Sequence, residues 1–279
     1  MALEVLSEHA CFGGVQGYYR HDSAACASPM RFSVYRPPQT KPGTPMLLFL
    51  AGLTCTEETF AIKAGAQRMA AKLGLILVAP DTSPRDTGFA GATGDWEFGE
   101  GAGFYLDATA APWSTRFRMA SYVVDELPAL VATEFGGDLD RIGLCGHSMG
   151  GHGALTLGLK HPQRFRSLSA LAPIVAPSEV PWGQKAFSRY LGEDRAQWAA
   201  HDACELVRRG GHPHTILIDQ GLADKFLDVQ LQPERFEAAC ASVAQPLMLR
   251  RHAGYDHGYY FIQSVIADHL RHHAAVLLG

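Results

Sequence analysis

Gly146-His147-Ser148-Met149-Gly150 restricts this chain more than any other stretch. It follows Ile142-Gly143-Leu144-Cys145, an apolar run of strand length, and precedes Gly151 to Lys160, which has a helical pattern. A Gly-x-Ser-x-Gly turn between strand and helix holds its serine at strained backbone angles, with the hydroxyl exposed above a sheet. A side chain at Gly146 or Gly150 would collide with the turn that brings strand and helix together at Ser148. A helix start that merely favours Gly and Ser is the plain alternative, and the flanking strand and helix argue against it.

The rest of the chain suits such a turn. With 279 residues, 47% of them hydrophobic, it can bury a large core without disulfides or metal. One α/β domain over 1–279 is expected. A net charge of -4 gives no footprint for nucleic acid, and no basic run suggests a membrane surface. The start, Met1 to His9, has early acids and no cationic region before an apolar block, so a signal peptide is not expected. No stretch approaches the ~18 consecutive apolar residues that span a bilayer. Cys11, Cys26, Cys55, Cys145, Cys204 and Cys240 form no C-x-x-C pair, which suits a reducing compartment, and a cytoplasmic location is expected.

Apolar runs alternate with longer helical patterns, the sequence form of a mostly parallel central sheet with helices on both faces. Arg31 to Tyr35 alternates like an early edge strand stopped by Pro37-Pro38. Met46 to Leu50 and Leu75 to Ala79 are buried strands, the second closed by Pro80. Glu57 to Leu73 and Arg116 to Phe135 have helical patterns. Ser167 to Ala172, Thr215 to Asp219 and Leu247 to Arg250 supply later strands, and Phe261 to Leu278 a closing helix. The Gly-rich interval from Thr87 to Gly103 carries Phe89, Trp96 and Phe98, which argues for a packed, functional loop.

A serine hydroxyl needs a base within reach and a third group to fix the base's tautomer. In the α/β-hydrolase order, Ser comes first, then Asp or Glu, then His. His257, in a turn-rich segment after the Leu247 strand, is the expected base, with His252 as competitor. The acid should lie beyond the Thr215 to Asp219 strand, which selects Asp224. Asp219 is read as a strand-end residue bonded to nearby backbone, and Asp256 as pointing away from His257. The oxyanion formed by attack on an acyl carbon calls for two N–H donors. Met149, at a helix start whose dipole favours negative charge, is one. Leu53, after the Met46 strand, is the other, with Gly52 as alternative.

Thirteen histidines invite a metal reading. His212-Pro213-His214 and His269 with His272 and His273 lack the carboxylates and spacing of a catalytic zinc motif. They are read as a solvated loop and a polar helix face, and no metal or cofactor is expected.

Several segments together resemble one family. Leu50-Ala51-Gly52-Leu53-Thr54-Cys55-Thr56-Glu57-Glu58, Ala79-Pro80-Asp81-Thr82-Ser83-Pro84-Arg85, Gly99 to Tyr105, the Ser148 segment, Pro181-Trp182-Gly183-Gln184-Lys185-Ala186-Phe187, Ile216 to Gly221 and Gly254-Tyr255-Asp256-His257 are similar to S-formylglutathione hydrolase, the esterase D family. The resemblance runs from about Phe32 to the final helix. It implies the α/β-hydrolase fold and hydrolysis of S-formylglutathione to glutathione and formate, the last step of glutathione-dependent formaldehyde detoxification. The implied route is a covalent formyl-enzyme intermediate on a Ser148, Asp224 and His257 triad, with Leu53 and Met149 as oxyanion donors.

Cys55 is placed by the resemblance beside the site, as a packing residue without a chemical step. Trp182 and Phe226 are candidates to crowd a small acyl pocket, plain core aromatics being the alternative. Lys63, Arg85, Lys185 and Lys225 are candidates to meet the carboxylates of glutathione. The expected partner is a small-molecule thioester, with neither nucleic acid nor membrane; a homodimer is left open. A broad small-acyl carboxylesterase is the alternative function, and a binding protein without turnover is disfavoured by the presence of all three triad residues.

Overall fold

The computed structural model describes residues 3–279. Met1 and Ala2 of the start read as a non-signal sequence lie outside them.

Nine strands form one sheet: β1 (Glu4–Cys11), β2 (Gly14–Ser23), β3 (Ser28–Arg36), β4 (Thr44–Leu50), β5 (Ile76–Pro80), β6 (Gly137–His147), β7 (Phe165–Leu171), β8 (Ile216–Gly221) and β9 (Leu247–His252). Their order is β1-β2-β3-β5-β4-β6-β7-β8-β9. The first three strands pair antiparallel, as does β3 with β5, and all pairs from β5 to β9 are parallel. The mostly parallel sheet expected from the alternating pattern is present. Fully buried β4 and β5 carry the continuous apolar runs that a strand covered on both faces requires.

Three expectations about the extent of strands and helices need correction. Arg31 to Tyr35 belongs to β3, an interior strand flanked by β2 and β5. The edge is β1, whose residues are mostly exposed and so lack an apolar run to announce a strand. Phe12 and Gly13 join β1 to β2 with positive φ at both positions (46° and 75°), the geometry that matches the twist of a tight hairpin. The Glu57 to Leu73 helix is two helices, Glu57–Lys63 and Gln67–Leu73, parted at Gly65 with φ +66°, which glycine adopts without the Cβ penalty. The helical segment expected from Arg116 begins at Met119 and includes a π-helical turn at Tyr122–Glu126 before Leu127–Phe135.

The two faces are covered by different helices. Leu168 of β7 points at Gly158 on the elbow helix Met149–Lys160. Its neighbours Ser167 and Ser169 donate to or accept from His273 on the closing helix Tyr259–Leu277 at 2.7 Å each. Alternate residues of a strand face opposite ways, so the two helices sandwich the sheet. The histidines of the closing helix are therefore not a solvated face: His269 and His273 are fully buried. His212 is buried too, with Nε2 bonded to the Phe165 carbonyl at 2.8 Å.

Candidate active site

The carboxyl edge of the parallel strands collects the expected residues. Ser148 directly follows β6, Leu53 lies three residues past β4, Asp224 three past β8, and His257 five past β9. Open α/β sheets place ligands at this edge.

Ser148 has φ 58° and ψ -117°, a region that costs about 1–3 kcal/mol outside glycine. The surroundings over-determine that geometry. The Ser148 N–H donates to the Leu171 carbonyl at 2.9 Å, and the Ser148 carbonyl accepts from His152 and Ile174 N–H groups at 3.0 and 3.2 Å. The glycines behave as the spacing requires. A Cβ at Gly150 would stand 1.9 Å from the Leu50 carbonyl oxygen, and one at Gly146 2.0 Å from the Gly150 carbonyl oxygen.

His257 and Asp224 are joined through Nδ1 and Oδ2 at 2.5 Å. Asp224 is buried, and its other oxygen accepts from the Phe226 N–H at 2.8 Å. Gln220, overlooked in the sequence, donates from Nε2 to Asp224 Oδ2 at 3.3 Å. A buried acceptor held from three sides can keep the imidazole in the tautomer that leaves Nε2 free as a base.

The rejected pair is also bonded, and differently from expectation. Asp219 binds side chains rather than nearby backbone: Arg250 Nε at 2.6 Å and Nη2 at 2.5 Å, His252 Nε2 at 3.1 Å and His269 Nε2 at 3.1 Å. Burial alone would raise its carboxyl, yet the bonds from His269 and Arg250 outweigh burial and hold it far below the usual carboxylate range. His252, the competing base, is tied up in this network. Asp256 accepts from the Gly258 N–H at 2.9 Å, a local turn contact.

The loop after β4 approaches Ser148 closely. A Cβ at Gly52 would lie 3.2 Å from Ser148 Cβ, so the backbone passes close to the serine side chain. Among the described residues, neither Gly52 nor Leu53 donates its N–H to a backbone acceptor. Met149 opens its helix, where N–H groups have no intrahelical acceptor. The loop is tied down by Tyr105 Oη to the Ala51 carbonyl at 2.9 Å, the Thr54 N–H to the Gly101 carbonyl at 2.9 Å, and Arg85 Nη2 to the Cys55 carbonyl at 3.0 Å. Tyr105, Gly101 and Arg85 all fall in the resembling segments, but nothing in their spacing announces this role.

An aromatic wall rises beside the base. Phe226 lies 5.0 Å from His257 and 4.7 Å from Trp182 between ring centroids, and Trp96 lies 5.5 Å beyond Trp182. The Trp182 indole donates to Glu97 at 2.8 Å. Cys55 is half-buried, its thiol pushed up by burial. Of the four expected cations, Arg85 is paired with Asp81 and Lys185 with Asp95 and Glu97. Lys63 and Lys225 have no ion pair among the described residues and sit over the rings of Tyr259 and Phe226 at 5.9 and 4.8 Å.

His147 occupies a position that the Gly-x-Ser-x-Gly pattern leaves open. Its ring lies 4.5 Å from that of His257, and both its nitrogens are buried without a hydrogen-bond partner. Burial pushes its imidazole well below the ordinary value, with the His257 charge acting in the same direction, so it stays neutral beneath the base.

A family model described as a putative esterase matches residues 23–272. An S-formylglutathione hydrolase of Paracoccus denitrificans is 51% identical over 275 residues, 98% of each chain. One from Mus musculus is 50% identical over 280 residues, 99% of each chain. The chain belongs to the S-formylglutathione hydrolase family. The solved structure of a family member from Agrobacterium tumefaciens superimposes with a TM-score of 0.96 at 48% identity, covering 98% of this chain and 99% of that one. A fluorophosphonate-binding serine hydrolase of Staphylococcus aureus, at 17% identity and a TM-score of 0.73, shares the fold alone.

Proposed function

We propose that the protein, over 1–279 as one α/β-hydrolase domain, hydrolyses S-formylglutathione to glutathione and formate by a Ser148-Asp224-His257 triad. Ser148 attacks the formyl carbon while His257 Nε2 takes the hydroxyl proton. The tetrahedral oxyanion is met by the Leu53 and Met149 N–H groups, each such donor contributing about 2.7–4 kcal/mol of transition-state stabilisation. Collapse expels glutathione, whose thiolate takes the proton back from His257 Nε2, and leaves a formyl ester on Ser148. Water, deprotonated by His257, then releases formate and restores the serine. Asp224 keeps Nδ1 protonated and stabilises the imidazolium in both halves.

The observation that carries this reading is the full-length identity of 51% to a curated S-formylglutathione hydrolase, and the 2.5 Å contact between His257 and Asp224 supports the triad. Trp182, Phe226 and Cys55 would bound the acyl pocket, and a thioester suits it because the thiolate leaves readily. The setting is formaldehyde detoxification in the cytoplasm, a reading supported by six free cysteines. Light scattering would decide between monomer and homodimer. The reading is tested by comparing kcat/KM for S-formylglutathione, S-acetylglutathione and S-butyrylglutathione with that for a short oxyester. Each added methylene in a tight pocket is worth about 1–3 kcal/mol. Equal efficiency on formyl and butyryl thioesters would instead make the protein a general small-acyl carboxylesterase.

A further inference from the structure

A cavity of about 550 Å³ opens between the start of β3, the loop after β5 and the first turn of the Glu57–Lys63 helix. None of Ser148, Asp224, His257, Leu53 and Met149 lines it. Its Arg31 is on β3, which stands three strands from β6 in the sheet order, about 14 Å at the usual strand spacing. Thr56 brings the near rim to within three residues of Leu53.

Some of the charges around this cavity cancel locally. Asp81 is closed by Arg85 at 2.6 Å, and Arg20 by Glu4 at 2.7 Å. Glu57 is buried and its charge does not cancel in this way. It is 3% exposed, its carboxylate has no ion pair among the described residues and accepts only from its own backbone N–H, and it lines the cavity. A buried carboxylate left without a counter-charge is costly, so its presence asks for an explanation.

Two cations face the same space without a carboxylate partner. The Arg31 side chain makes no ion pair among the described residues. Arg116 donates only to the Thr87 carbonyl, at 3.1 Å, and its guanidinium lies over Phe89. Exposed Glu58 and Asp86 complete the rim. A simple anion entering here meets Glu57, and a simple cation meets the arginines. A ligand carrying both charged groups on one carbon answers both.

We infer that this cavity binds the ammonium–carboxylate head of an amino acid or short peptide, with the ammonium on Glu57 and the carboxylate on Arg31 and Arg116. Burial, then the nearby Asp81 charge, raises the Glu57 carboxyl above its ordinary value, and a bound ammonium would restore the charged form. This head group has two sources: the γ-glutamyl end of the substrate's own thiol carrier, or a free amino acid. The first source rests on the thioesterase reading, whereas binding itself does not.

The test is calorimetric titration of the full-length protein with glutathione, L-glutamate and N-acetyl-L-glutamate, which lacks the ammonium. Glutathione or L-glutamate should bind at millimolar concentration or below, and N-acetyl-L-glutamate should not. Glu57→Gln and Arg31→Ser should each weaken that binding at least tenfold; Arg31 is exposed, so its variant keeps the test open if the buried one fails to fold. A KM for S-formylglutathione raised at least fivefold relative to that for 4-nitrophenyl acetate identifies the substrate's head as the occupant. Loss of L-glutamate binding with unchanged KM identifies a free amino acid. Absence of binding by both amino-acid probes, equal binding of the N-acetylated probe, or unaltered affinity in the folded variants overturns the inference. A wild type that fails to hydrolyse S-formylglutathione would overturn the thioesterase reading instead and leave the L-glutamate titration to judge this one.

Discussion

Replacing Asp224 with asparagine tests the proposed triad with almost no change of shape. The carboxylate accepts from His257 Nδ1 at 2.5 Å, from Gln220 at 3.3 Å and from the Phe226 N–H at 2.8 Å. An asparagine keeps the Phe226 bond through its carbonyl oxygen, which turns its NH₂ toward His257. Nδ1 must then accept, so the proton moves to Nε2, and the imidazole can no longer take the hydroxyl proton of Ser148. A wrong tautomer in an otherwise intact triad costs about 10⁴ in kcat, equivalent to about 5.4 kcal/mol of barrier. The assay is kcat/KM for S-formylglutathione at pH 7, with urea denaturation alongside to show that the fold survives. A folded Asp224→Asn variant within a hundredfold of wild type would refute the assignment of the acid.

Ser148→Ala should lower hydrolysis by about 10⁴ or more while leaving the protein folded, and near-normal turnover would overturn the nucleophile. Gly150→Ala should lower the melting temperature and abolish esterase activity, because its Cβ would meet the Leu50 carbonyl at 1.9 Å; an unshifted melting curve would contradict the packing. Alkylation of Cys55 should block acyl transfer, whereas Cys55→Ser should keep most of it; a serine variant as inactive as Ser148→Ala would give the sulfur a chemical role. Asp219→Asn should cost about 2–4 kcal/mol of stability at pH 7, the low end allowing for the 31% exposure of Arg250. Because the folded carboxyl is depressed, this contribution is present above the unfolded value of about 3.9 and is lost as pH falls below it. Urea midpoints of wild type and variant should therefore keep their gap from pH 7 down to about pH 5 and begin to converge below about pH 4, and a gap unchanged at pH 3 would refute the depressed carboxyl.

The parallel half of the sheet was legible because strands buried on both faces need uninterrupted apolar runs, as Met46 to Leu50 shows. The antiparallel edge was not, since β1 exposes most of its residues and its identity rests on pairing with β2. The elbow was legible for a steric reason: only glycine fits where Gly146 and Gly150 meet backbone oxygens at 2.0 and 1.9 Å. The ties on the loop after β4 were not, because Tyr105 and Arg85 act from segments far away in sequence. The misreading of His269 and His273 has a similar origin. Histidine on a helix is ambiguous until the opposing strand is known, and here Ser167, Ser169 and Asp219 supply buried partners.

The end of β8 carries two aspartates, and the periodicity of the strand separates their work. Asp219 is still in register, opposite Arg250 of β9, so its side chain is committed to a face of the sheet. That face is covered by the closing helix, which presents His269, and β9 adds Arg250 and His252. A carboxylate so enclosed stabilises the junction of β8, β9 and the helix, and has no route to a serine above the strand ends. Asp224 stands past the last paired residue, Gly221, where the chain is released from alternation and can turn a side chain upward. His257 meets it there from the loop after β9, with Phe226 packed at 5.0 Å and His147 at 4.5 Å against its ring. Two Asp–His contacts of the same chemistry thus differ in purpose by the five residues that separate a position inside the ladder from one beyond it.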